Sequence, residues 1–412
     1  MKTSHPWQFP ARFRSGVYGW RSSSLAVQRI KEAIKEIKAV AKKDPALGAE
    51  GAVRFLEKLS PAIEGVDSSS GALGNATNHA VETMATIIAK AEVDIGVRRK
   101  WLERLFEALQ EDQIPYIETL ADHWGTLCAA PELASQWADQ LLSITQRILS
   151  PTASGHGYFV GTSACLSSLF TAGRHEELIA LLDGPNARTW HYRQWAVRAL
   201  LAQGKNTEAL RYAEKHQGLN DPFGEIAATC EEILLFSGLI DESYQRPGLS
   251  ANQHSTNLAT FRAIAKKYPS KSAETILRDL AARTPGAEGQ WFAAAKDAGL
   301  YDLALEWVNQ SPTDPRTLMR AARDFREKAP TFVMGAGMAA LRWIAAGHGY
   351  QITEEETLEA YHLAAEAAAA AGMDPTQFKQ EVKTLLAKAA YGPFMADAVL
   401  KTLLSGRPAQ RR

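Results

Sequence analysis

The chain has 412 residues, and its 46 Lys and Arg balance 46 Asp and Glu to a formal charge of zero. An apolar fraction of 46% and a charged fraction of 22% exclude a wholly disordered, collagen-like or membrane-embedded chain, and the charge balance excludes a uniformly basic nucleic-acid coat. Cys128, Cys165 and Cys230 are too widely spaced for a disulfide framework or a zinc-ligand pattern, and the first 21 residues contain no apolar leader core, so the expected location is cytoplasmic.

The neutrality hides an asymmetry. Residues 1–43 carry ten Lys and Arg but only Glu32 and Glu36, a local charge of +8, and the remaining chain carries −8. Within residues 1–21, Trp7, Phe9, Phe13, Tyr18 and Trp20 are interleaved with Lys2, Arg12, Arg14 and Arg21. Rings among cations are what single-stranded nucleic acid binds, so Trp7, Arg12, Phe13, Arg14, Tyr18, Trp20 and Arg21 form a candidate polyanion arm. The competing reading docks the aromatics on the first helices and leaves the cations in water.

Helical periodicity begins after the arm. Leu25, Ile30, Ile34, Ile37 and Ala41 share one face, and Asp44-Pro45 ends that helix. Residues 46–60 repeat the pattern, a Gly/Ser run over 65–74 reads as a loop, and further helices are expected at about 75–90, 97–110, 114–129 and 131–149. No alternating run suggests a sheet. Residues 150–157 combine a helix breaker with small residues and mark a candidate boundary.

Beyond it the chain repeats. Gly173, Gly204, Gly238 and Gly299 each follow an apolar helical stretch and precede a shorter one, at gaps of 31, 34 and 61 residues. The last gap is a double unit, with Tyr268-Pro269-Ser270 replacing the glycine turn at its midpoint between helices at 254–268 and 271–283. Glycine there supplies a left-handed closing residue, and five residues later Ala209, Ser243 or Ala304 allows close helix approach, whereas Leu178 departs from the pattern. A period of this length holding two helices indicates a helical-hairpin solenoid. Helices at 314–328, 330–346, 353–372, 375–389 and 393–404 continue the array as pairs and a cap.

The glycine turns with a small residue five positions on resemble those of tetratricopeptide-like repeats over residues 158–310, without the earlier Trp, Leu-Gly and Tyr positions of that repeat. The resemblance implies protein or peptide binding along a concave groove. In the register it implies, counting back from Gly204 and Gly238 places His191, Gln194, Arg198, Glu225 and Glu232 on the inner face. Tyr192, Trp195 and Arg198 are also similar to one copy of the Tyr-x-x-Trp-x-x-Arg helix of protein prenyltransferase α-subunits; packing alone would set Trp195 against the next hairpin and Arg198 in water.

Catalytic signals are weak. His175-Glu176-Glu177 begins like a zinc-protease helix, but Ile179 stands where the second His is required. Gly335-Ala336-Gly337 imitates a dinucleotide fingerprint without a strand–helix–strand unit, and reads as a close packing face. Gly-His-Gly-Tyr occurs at 155–158 and 347–350, and pairing His156 with His348 would need proximity that only a structure can supply.

The expectation is therefore an all-α chain: an arm over 1–21, an N-terminal helical domain over 22–150, helical-hairpin repeats over 151–312, and C-terminal helical pairs with a cap over 313–412. The expected function is a non-enzymatic scaffold that binds a protein or peptide, with no cofactor, metal or membrane. The alternative is nucleic-acid binding through residues 1–43.

Overall fold

A computed structural model describes residues 5–150, 158–184, 187, 189–216, 221–388, 400, 401 and 404. Among these residues every regular element is helical. The chain forms two compact units, residues 1–222 and 223–412. The candidate boundary at 150–157 falls within the first unit and, from 151 on, outside the described residues.

In the first unit the helices are α1 (Ser23–Ala41), α2 (Pro45–Ile63), α3 (Ala72–Lys90), α4 (Ile95–Gln110), α5 (Trp124–Cys128) and α6 (Pro131–Leu149). They continue as α7 (Gly161–Thr171), α8 (His175–Leu182), α9 (Trp190–Ala202) and α10 (Asn206–Lys215). Asp44 caps α2 by accepting from the Leu47 amide at 2.9 Å, with Pro45 in the first helical position. The helix expected over 114–129 is interrupted. Asp112 accepts from the amides of Tyr116 and Ile117, at 3.3 and 2.8 Å, so these donors are used before a helix can form, and a 3₁₀ turn at Glu118–His123 leads into α5. Arg98 is buried and caps the C-terminal ends of α3 and α5, donating to the carbonyls of Ile88, Ala91 and Leu127.

The arm is docked. Phe9 and Phe13 meet Phe55 edge-on at 5.7 and 5.1 Å, and Tyr18 packs on Phe13 at 6.0 Å. Trp7 lies over Gly51, where a Cβ would stand 2.3 Å from the indole. Both acidic residues of the basic segment hold the arm: Glu36 accepts from the amides of Gln8 and Phe9 at 2.7 and 3.1 Å, and Glu32 pairs with Arg12 at 2.6 Å and Arg29 at 2.7 Å. The platform expectation is corrected at these positions. Phe13 and Tyr18 are buried, Trp7 is half-buried and Arg12 is ion-paired, so their faces are occupied, whereas Arg14, Trp20 and Arg21 remain exposed.

The second unit contains α11 (Phe223–Phe236), α12 (Ile240–Ser243), a π-helical turn at Tyr244–Gly248, α13 (Leu249–Ala251), α14 (Asn257–Lys267) and α15 (Ala273–Ala282). After these come α16 (Phe292–Asp297), α17 (Tyr301–Gln310), α18 (Pro315–Asp324), α19 (Pro330–Ala345), α20 (Glu354–Ala370) and α21 (Pro375–Lys388). The expected helix at 393–404 lies largely outside the described residues.

The four glycine turns share one geometry. Gly173, Gly204, Gly238 and Gly299 have φ between 74° and 76°. At each, the glycine amide bonds three residues back and the next amide five residues back; at Gly204 these are Gly204 N–H to Leu201 O and Lys205 N–H to Leu200 O, both 2.9 Å. That is a Schellman closure, which satisfies two helix-end carbonyls. Leu178, Ala209, Ser243 and Ala304, five positions on, are all buried. Gly347 and Gly372 close α19 and α20 in the same way, so the turn recurs beyond the expected repeats. The glycines of the apparent dinucleotide motif lie inside α19, with Gly337 against Ala364 of α20 and Gly335 against Leu305 of α17.

Candidate functional site

Three of the expected groove residues form one ridge on α9. Gln194 Nε2 donates to the His191 carbonyl at 2.9 Å, and its Oε1 accepts from Arg198 Nη2 at 3.1 Å. The Arg198 guanidinium covers the Trp195 ring at 4.7 Å, while Trp195 itself is buried and packs on Phe170 of α7 at 5.8 Å. Arg198 thus keeps its charge at the surface over an indole that belongs to the core.

The ridge faces polar groups from two other elements. His191 Nε2 stands 3.0 Å from Ser163 Oγ of α7 and 3.1 Å from Asp122 Oδ1 of the 3₁₀ turn. Close contact with Asp122 raises the His191 pKa above its ordinary value, outweighing the desolvation that opposes it. Asp122 Oδ1 stands at ion-pair distance from His191 without well-aligned hydrogen-bond geometry. Tyr158 donates to Glu118 at 2.6 Å beside this group. Tyr192 is pushed up by burial, then by the charges of Glu118 and Asp122.

Ser, His and Asp together suggest nucleophilic catalysis, but the geometry is wrong for it. A triad needs one imidazole nitrogen for the serine and the other for the carboxylate. Here both partners address Nε2, and an Nε2–H aimed at Asp122 cannot also accept the Ser163 proton.

Glu225 and Glu232, the other two expected groove residues, lie in the second unit, both exposed on α11. The neighbouring Glu231, absent from the expected groove set, is fully buried. Its Oε1 accepts from Asn252 and Tyr268, both at 2.6 Å, and its Oε2 pairs with Lys267 at 2.7 Å. Ser243 completes the network by contacting the Tyr268 hydroxyl at 2.8 Å. A signal for it existed: Glu231 shares its helix face with Ala227 and Leu234, an apolar stripe on which a carboxylate requires buried partners. His348 ends α19 and packs edge-on against Trp343 at 5.3 Å; His156 lies outside the described residues, so their pairing has no geometry here. Among the described residues no group of three or more His, Cys, Asp or Glu could hold a metal, and no helix is long and apolar enough to cross a membrane.

A third surface lies between α1 and α3, a groove of about 1110 Å³. It is rimmed by Lys31, Lys35, Lys38 and Lys42 on one side and by His79 and Lys90 on the other. The basic segment thus presents helical lysines here, away from the docked arm that carries its interleaved rings and arginines.

The chain has an all-α fold of helical hairpins closed by a common glycine turn. No family model matches it, and no curated protein matches it. Among solved structures it is similar to a chain in the crystal structure of the APC/C hetero-tetramer Cut9-Hcn1, at 15% identity over 92% of this chain and 73% of that one, with a TM-score of 0.22. It is similar also to a circular tandem repeat protein with novel repeat topology and enhanced subunit contact surfaces, at 13% identity over 92% of this chain and 91% of that one, with a TM-score of 0.20. At those scores the architecture rests on the helices described above, and nothing of either protein's role is carried over.

Proposed function

We propose that the chain is a non-enzymatic interaction scaffold that binds a protein or peptide on the first helices of its hairpins. The observation that supports this reading is the α9 ridge: His191, Gln194 and Arg198 hold hydrogen-bonding and charged groups at the surface, above a buried Trp195 that fixes the helix. Preorganised polar groups on a rigid element lose little entropy on binding. The arrangement around His191 lacks the two-sided imidazole contacts of a hydrolase, which favours binding over catalysis.

Quantitative pull-down from the native host tests this. Arg198→Glu is expected to deplete the recovered partner, and Arg211→Glu, an exposed change on α10, is expected to leave it unchanged. Glu232→Lys probes the second unit in the same way. Partners recovered equally with all three variants would remove the ridge and Glu232 from the binding surface.

A further inference from the structure

The α1–α3 groove has one charge sign and an apolar floor. Lys31, Lys35, Lys38 and Lys42 recur at intervals of four, three and four residues, which sets them in one stripe roughly 16 Å long at 1.5 Å per residue. Cations at such spacings repel one another on a helix. Among the described residues no carboxylate lines the groove, and none of these lysines is ion-paired. The carboxylates that could have neutralised them are engaged elsewhere. Glu32 is one turn from Lys35, yet its Oε2 serves Arg12 and Arg29 and its Oε1 accepts from Gln28.

Between the lysine rims the floor is formed by Ile34 and Ile87 with Ala41. Lysine stems extend this apolar surface while their ammonium groups stay in water. A nucleic acid would satisfy the charges but would leave the apolar floor unmatched, because no Phe, Tyr or Trp lines the groove for base stacking and its single imidazole, His79, lies on the rim. An amphipathic helix matches both features, with apolar anchors at i, i+3, i+4 and i+7 against the floor and acidic flanks against the lysines.

We propose that the α1–α3 groove docks an acidic amphipathic helix of a partner protein. The site is separate from the α9 ridge, and the proposal stands without that reading.

Fluorescence anisotropy on the full chain tests it, with a labelled peptide of about five helical turns bearing Leu at the anchor positions and Glu on the flanks. The comparators are the same peptide with Lys for Glu, the same peptide with Ser for Leu, and single-stranded RNA. The acidic amphipathic peptide is expected to bind saturably at low salt, and the Lys and Ser peptides at least about tenfold more weakly. Lys35→Glu/Lys38→Glu is expected to weaken binding by about tenfold or more, whereas Arg198→Glu leaves it unchanged. Ile87→Asp should weaken it as well; should that variant fail to fold in a thermal melt, the exposed lysine pair decides. Absence of peptide binding, equal binding of the Ser peptide, insensitivity to the lysine reversal, or tighter binding of RNA would each overturn the proposal.

Discussion

At the scale of single residues, His191 carries the most readable consequence. Its pKa is raised in the folded chain by Asp122. The pair therefore stabilises the fold in full below the unfolded imidazole value, about 6.5, and that stabilisation fades as pH rises through the higher folded value. Asp122→Asn should bring the His191 titration, followed by NMR at its Cε1 proton, down toward the ordinary value; an unchanged midpoint would separate the shift from Asp122. His191 was legible as a surface residue from the repeat register alone. Its partners Asp122 and Ser163 were not, because they come from 69 and 28 residues away and only the packing of the 3₁₀ turn on α7, and of α7 on α9, brings them close.

At the scale of helices, the turn is the unit of information. Each glycine turn was visible in the sequence because its demands are local: a left-handed residue after an apolar helix, then a small side chain that must be buried. At Gly204 a Cβ would have nothing within 4 Å, so a Gly204→Ala change meets only backbone strain. It is expected to cost about 1 kcal/mol in denaturant melts. Gly125→Ala is a different case, since its Cβ would stand 2.2 Å from the Ser167 carbonyl on α7. Overpacking against backbone should cost about 1–3 kcal/mol, more than at Gly204. The break at 114–117 escaped sequence reasoning for the opposite reason. The residues are helix-compatible by pattern, and only the Asp112 carboxylate, also held by Ser60 of α2, diverts their amides.

At the scale of the whole molecule, each unit has its own core and its own buried polar anchor: Arg98 among carbonyls in the first, and Glu231 with Asn252, Lys267 and Tyr268 in the second. Removing one partner of such a group leaves buried polar atoms unsatisfied. Arg98→Met should cost about 3 kcal/mol and Glu231→Ala about 3–5 kcal/mol. Hydrogen exchange should place the first loss of protection within residues 1–222 and the second within 223–412; uniform loss from either variant would show that the units unfold as one. The hairpins were readable from glycine spacing, but the division at 222/223 was not, since the repeat runs through it without a change in period.

The docking of the arm has a consequence for the lysine stripe. By drawing Glu32 and Glu36 toward Arg12 and the Gln8 and Phe9 amides, the arm sorts the charges of α1 into a neutralised flank and an uncompensated one. It acts as an insulating strap: its rings are spent on the core, and its hydrogen bonds keep the helix's own carboxylates from quenching the cations beside them. Undocking it would release Glu36 at the edge of the basic face, while Glu32 would keep Arg29 and Gln28 of α1, so the arm tunes the polarity of a groove that its aromatic side chains do not line.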